Sequence, residues 1–403
     1  MHYSNLSSSE RRRHPPADEF LRVPLGQMSR NGTVEYTLKE LLLYFLRLGA
    51  CGFGGPIALA GYIQRDLAAK RHWITQDQYL RGLALSQLAP GPLAVQLAIY
   101  IGYTKSRFLG GTLVGVAFVL PSFLMVVVLG FLYCNYGGLS FIKALFYGIG
   151  PCVIAIIAQS AYRLSRATCK GMGLCWVIFG TVFAATVITQ SEMVWLLLLG
   201  GILALLIYAP PRFLFSGRFA LLLPLGTQGR TLLNIFLFFA KSSLFVFGSG
   251  LAIVPFLHTG VVQQFQWLNE KQFLDAVAVA MITPGPLVIS VGFIGYLVGG
   301  LKGATVAAVA IFLPVWLLTI ALVPSYEKVA KNRQVKAFVK GITAATCGAI
   351  AGAVIILGRG TIKDIPTALI AAGALGALTR FKIPEPLLIG TAGLLGLCTF
   401  GRV

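Results

Sequence analysis

The chain has 403 residues, 57% of them hydrophobic and only 11% charged, with a mean hydropathy of +0.80. Soluble domains carry about 25% charged residues, so a soluble globular protein is excluded and an integral membrane protein is implied. The net charge of +20 lies on no soluble basic stripe, which argues against nucleic-acid binding and fits the positive bias of cytoplasmic loops.

Residues 1–36 hold Arg11, Arg12, Arg13, Arg22 and Arg30 among Glu10, Asp18 and Glu19, with no continuous apolar core. That is no secretory signal peptide; it reads as a cytoplasmic N-terminal tail. The first apolar segment, Leu38–Ile63, is broken in its middle by Gly52-Phe53-Gly54-Gly55-Pro56. A basic loop over 64–81 follows, and then Leu83–Tyr103, broken at Ala89-Pro90-Gly91-Pro92. Crossing a bilayer takes about 20 helical residues. Phe108–Tyr133, Phe141–Tyr162, Leu174–Thr189 with Met193–Tyr208, and Ala304–Val323 meet that need most clearly. Phe219–Leu225 and Thr367–Leu378 are short for a crossing. No alternating β-barrel pattern appears, so the spans are helices.

The stretch from Trp73 recurs in altered form from Trp267. Phe53, Trp73, Gln78 and Pro90 match Phe247, Trp267, Gln272 and Pro284 at a constant offset of 194, which becomes 193 for Pro121 and Pro314. The chain is therefore two copies of one unit, 37–215 and 230–403. Loop charge then speaks to orientation. Arg65, Lys70, Arg71 and Arg81 occupy loop 64–81, whereas its counterpart 257–275 has only Lys271. Farther on the bias reverses: Lys143 stands alone in 135–143, against Lys328, Lys331, Arg333, Lys336 and Lys340 in 325–340. Opposite preferences are expected of two repeats inserted upside down relative to each other. The expected fold is an all-α integral membrane protein of two inverted-topology repeats with broken or re-entrant helices. The tail and loop 64–81 belong on one side with one segment between them, which points to re-entrant hairpins; kinked but complete spans are the alternative.

Irregular backbone at membrane depth is tolerated where it is buried in protein or lines a wet cavity. Four half-helices should begin inside the membrane, near Pro56, Pro92, Gly250 and Pro286. A helix start carries about +0.5 of a charge and unpaired amides, which suits an anion. Arg47 and Lys241 occupy equivalent positions in apolar runs, six residues before Phe53 and Phe247. An intramembrane cation is a functional candidate, and two such cations suit a doubly charged anion; snorkelling to the interface is the bland account. Glu40 is the one acidic residue near Arg47. Further donors for an oxyanion are Ser86, Gln87, Gln96, Ser242, Ser243, Ser249, Thr283 and Ser290, although for any single one helix–helix contact is the favoured account. Thr75 with Gln78 and Asn269 with Gln272 read as capping boxes, and Trp73 and Trp267 as interfacial anchors. The seven cysteines read as small buried hydrophobes, and no metal site is visible.

Phe53-Gly54-Gly55-Pro56, Trp73-Ile74-Thr75 with Gln78, Gln87-Leu88-Ala89-Pro90-Gly91-Pro92 and Thr283-Pro284-Gly285-Pro286 resemble the chromate transporter family in its long, two-domain form, from Thr37 to the C-terminus. The resemblance implies membrane-potential-driven or proton-coupled export of chromate from the cytoplasm and chromate resistance, with sulfate as a competitor of like charge and shape. It implies a multi-pass protein of the plasma (inner) membrane, not an enzyme, with no cofactor. The expected partners are chromate or sulfate and the lipid bilayer; a homodimer stays open. Substrate contact is expected at Arg47, Gly54, Gly55, Pro56, Gln87, Pro90, Gly91, Pro92 and Gln96. In the second copy the positions are Lys241, Gly248, Ser249, Gly250, Thr283, Pro284, Gly285, Pro286 and Ser290. Gly248-Ser249-Gly250 departs from Gly54-Gly55-Pro56, which leaves open whether both halves touch the substrate equally. The alternatives are a sulfate or other oxyanion transporter and, less favoured, a membrane-embedded reductase, for which no haem, flavin or dinucleotide motif is present. No Walker-type phosphate loop is present either.

Overall fold

The structure, a computed structural model, describes residues 34–53, 55–136, 139–170, 173–190, 194–209, 231–247, 250–325, 332–381 and 383–400. Most of the predicted N-terminal tail, the weak segment Phe219–Leu225 and part of loop 325–340 lie outside the described residues. The elements of the described residues are helices, joined by short turns, with one isolated bridge residue at Val34. The first copy comprises α1 (Leu38–Cys51), α2 (Gly55–Ile63, continued by a π turn Gln64–Lys70), α3 (Gln76–Leu88), α4 (Leu93–Tyr136), α5 (Ser140–Thr168), α6 (Gly173–Thr189) and α7 (Val194–Tyr208). The second comprises α8 (Thr231–Ser243), α9 (Ile253–His258, continued by a π turn Thr259–Gln264), α10 (Glu270–Ile282), α11 (Ser290–Leu322), α12 (Arg333–Thr361), α13 (Ile365–Arg380) and α14 (Glu385–Thr399). The element order repeats, down to the π turns. α14 is a helix that the sequence reading does not single out.

Both predicted capping boxes form, on Thr75 and on Asn269. His72 and Gln266, at matched positions, both adopt φ of 51°. α4 and α11 are long only by count. Ser106 and Arg107 leave helical geometry in the first, Gly299 and Gly300 in the second. Each helix folds back there: a Cβ on Gly102 would strike Gly110, and one on Gly295 would strike Gly303. A half-helix over 93–105 thus returns as a full-length arm over 108–136.

The two breaks in the first copy make hairpins. The Val34 amide donates to the His72 carbonyl at 2.8 Å. Tyr36 stacks on Trp73 with centroids 5.0 Å apart, and Lys105 Nζ lies 4.2 Å above the Tyr36 ring. The start of α1, the end of α2 and the end of the 93–105 half-helix therefore meet at one end of the molecule. α1 has 14 residues, about 21 Å of helix, against a hydrocarbon core of about 30 Å. Asp275 is tied to the other end of the 108–136 arm, through Tyr133. Loops 64–81 and 257–275 consequently lie at opposite ends of that arm.

The halves are interlocked. α6 and α7 pack on α12 of the other copy, while α13 and α14 pack on α5. Close approach relies on small residues: a Cβ on Gly148 would strike Ala392, and one on Gly341 would strike Gly200. Such crossings are how membrane helices gain packing without a hydrophobic drive. The equivalent helices α5 and α12 run antiparallel, with Gly150 beside Thr361 and Ile154 beside Gly358. Of the seven cysteines, Cys152, Cys169, Cys175 and Cys347 are buried as expected, but Cys51, Cys134 and Cys398 are exposed.

Candidate anion-translocation site

Helices or helical turns begin at Gly55, Leu93, Gly250 and Leu287, at the four breaks expected from the sequence. A Cβ on Gly250 would lie 3.2 Å from Leu287 and 3.7 Å from Pro56, so breaks from both copies converge. Two backbone hydrogen bonds cross-brace them. The Gly91 amide donates to the Val246 carbonyl at 2.7 Å, and the Gly285 amide donates to the Gly52 carbonyl at 2.8 Å. Each Pro-Gly-Pro is thus pinned to the Phe-Gly break of the opposite copy, at matched positions. Gly55, Gly91 and Gly285 have φ of 72°, 132° and 96°, values that favour glycine. Gly54, Gly248 and Ser249 lie outside the described residues.

These bonds alter the expected roles. The Gly91 and Gly285 amides are engaged in the brace. The next amides, of Leu93 and Ala94, precede the first bonds of their helix, in which Val95 and Gln96 donate to the Pro92 carbonyl at 3.0 and 3.1 Å. Leu287 and Val288 stand in the same relation to the bond from Ile289 to Pro286. Pro90, Pro92, Pro284 and Pro286 therefore shape the turn that presents helix starts.

The predicted ring of side-chain donors is largely occupied. Gln96 is fully buried, and its Nε2 donates to the Pro90 carbonyl at 2.7 Å, holding the break itself. The Thr283 hydroxyl donates to Val279 at 2.6 Å, and Ser86, Ser242 and Ser243 likewise bond carbonyls of their own helices. Gln87 is exposed at the end of α3, whereas Ser290 is buried at the first residue of α11. Sequence spacing shows that a hydroxyl is near the break, not that a carbonyl one turn back already accepts its proton.

Arg47 and Lys241 are both exposed on the described chain. Glu40 turns back to Thr37, whose amide and hydroxyl donate to it at 2.7 and 2.8 Å, as half of a capping box. Lys241 lines a cavity of about 230 Å³ between the arms of its own hairpin, with Ser242, Thr259 and Gln264 as polar neighbours. The matched positions of the first hairpin carry charge instead, including Arg65 and Asp66, which pair at 2.8 Å. The halves are therefore not equivalent, and the second holds an open, net-positive pocket.

A further group escaped the sequence reading. Asp275 is 5% exposed and accepts a 2.6 Å hydrogen bond from Tyr133. Its signal was a lone carboxylate opening the apolar run from Asp275 to Met281.

Comparison with known proteins adds to this geometry. The family model described as chromate transporter matches residues 39–205 and 233–397. The chain is 54% identical to the chromate transport protein of Cupriavidus metallidurans, over 91% of this chain and 94% of that one. It is 52% identical to a probable chromate transport protein of Synechococcus elongatus, over 91% and 97%. It is 29% identical to a chromate transport protein of Pseudomonas aeruginosa, over 90% and 92%. No solved structure matches the chain.

Proposed function

The chain belongs to the chromate transporter family, and we propose that it carries chromate out of the cytoplasm as a secondary transporter of the plasma membrane, giving chromate resistance. The observation that carries this reading is the cross-braced junction, where four helix starts from two copies meet. Each start presents partial positive charge toward that region, which favours a dianion without a dedicated ligand shell. Lys241 and its cavity form the approach to the junction, with Arg47 as the corresponding cation of the first hairpin. Antiparallel α5 and α12 support a two-fold relation in the membrane plane, and rocking of one bundle against the other would expose the junction to each side in turn.

The deciding experiment uses the full chain in liposomes loaded with labelled chromate, with a parallel arm of labelled sulfate. Chromate leaving as chromate, faster than from protein-free vesicles, is the expected result. Sulfate moving while chromate does not would transfer the reading to sulfate, and trivalent chromium inside the vesicles would favour a reductase.

The inverted arrangement carries its own expectation. A cysteine at Gln266 should react with an impermeant thiol reagent outside intact cells, and one at Gln76 should not, since loops 64–81 and 325–340 are taken as cytoplasmic. Cys51, Cys134 and Cys398 are exposed and are replaced first. Labelling of both positions from outside would reject the inversion.

A further inference from the structure

At the end of the molecule opposite Trp73, a cavity of about 250 Å³ with charged side chains in its lining opens between the two copies. Three lysines line it: Lys143 at the start of α5, Lys271 on α10, and Lys363 after α12. Three carboxylates face them, Glu270, Asp275 and Asp364, and Tyr147 of α5 adds a phenol. Two of the carboxylates have structural work. Glu270 holds buried His258 of α9 at 2.8 Å, and Asp364 caps α13, accepting from the Thr367 amide at 2.9 Å.

Asp275 differs from both. It is the deeply buried member, and the hydrogen bond it accepts comes from the Tyr133 hydroxyl of the other copy at 2.6 Å. The Tyr133 ring is itself fixed edge-on by Phe146 and Phe293. Lys271 stands one turn earlier on the same helix, and no ion pair joins the two among the described salt bridges. The first copy has Arg81 at the matched position, exposed and paired with Asp77 at 2.8 Å. The repeat unit therefore folds without a carboxylate here. Burial disfavours the charged form of a carboxyl, and a buried carboxyl that borders a cavity beside basic side chains is a candidate proton-binding group.

We propose that Asp275 binds and releases the proton whose movement is coupled to that of the anion, with the lysine-lined cavity as its aqueous access. The inference rests on the chain being an anion transporter. In the deprotonated state Asp275 adds negative charge beside Lys271, and in the protonated state it removes it. Proton occupancy thereby changes the charge that an entering dianion meets.

The test uses the full chain in liposomes, with chromate exchange at equal concentrations and chromate accumulation driven by a pH gradient measured side by side. Asp275→Asn keeps an oxygen that can accept from Tyr133, so a purely structural role survives it. It should retain exchange while gradient-driven accumulation falls about tenfold, within the range of coupling between two bound ligands. Tyr133→Phe should keep driven accumulation but displace its pH midpoint, because the carboxyl survives and only its hydrogen bond is lost. Driven accumulation by Asp275→Asn at the wild-type level overturns the proposal. So does a wild-type flux indifferent to the pH gradient, or a parallel loss of exchange and coupling in the variant. Absence of wild-type exchange would instead sink the transport reading itself.

Discussion

Gly285→Ala should reduce chromate movement about a hundredfold, from about 3 kcal/mol lost at the junction. Three effects combine there. The residue has φ of 96°, where a Cβ costs about 1–2 kcal/mol. The added methyl would strike the Ser122 hydroxyl and lie 3.2 Å from the Gly49 carbonyl. Ser122 in turn donates to Gly49 at 3.1 Å, so moving it unties α4 from α1. Any shift also strains the hydrogen bond that the Gly285 amide donates to the Gly52 carbonyl, worth about 1 kcal/mol. Adding Ser122→Gly should recover part of the loss by making room, while the backbone strain remains. Gly91→Ala should follow Gly285→Ala, because its φ is 132° and a Cβ would meet Val315 at 2.8 Å. Gly180→Ala is the comparison, since a Cβ there meets nothing within 4 Å. Transport is measured in liposomes at equal reconstituted protein. Equal losses at Gly180 and Gly285 would show that the brace is not what matters.

Lys241→Ala should lower chromate transport by about tenfold while the protein still inserts, because a cleft lined by positive charge raises the local concentration and entry rate of a dianion. Lys241 faces a cavity whose other polar groups, Ser242, Thr259 and Gln264, are neutral. Nothing in that lining can take over the charge. Arg47→Ala should be damaging but less so, since the first hairpin keeps Arg65 and Lys70 at positions matched to the neutral Thr259 and Gln264. Arg47→Lys separates charge from geometry: a fall with lysine would mean that the guanidinium fork holds two oxygens together. Resistance at the wild-type level in cells making normal amounts of Lys241→Ala would remove this cavity from the pathway.

The reductase reading draws no support from the named relatives, which are transport proteins. Sulfate shares the charge and shape on which a helix-start site relies, so the discrimination between the two anions rests on the paired flux assay.

Much of this protein was determined by its sequence alone. Although the sequence reading singled out neither Arg333–Thr361 nor α14 as a span, most helical spans, the breaks at Gly52-Phe53-Gly54-Gly55-Pro56 and Pro90-Gly91-Pro92, and the capping boxes on Thr75 and Asn269 are local. They follow from apolar length, from the backbone freedom of glycine and from the missing amide of proline, each acting within a few residues. What the breaks touch was decided only by the tertiary structure. The bonds from Gly91 to Val246 and from Gly285 to Gly52 join opposite copies. Tyr133 reaches Asp275 across 142 residues. α6 and α7 lie on the helix of the other copy. No periodicity encodes such pairings, because they arise when two complete units close on each other and each must satisfy the polar groups that its own broken helices leave unpaired.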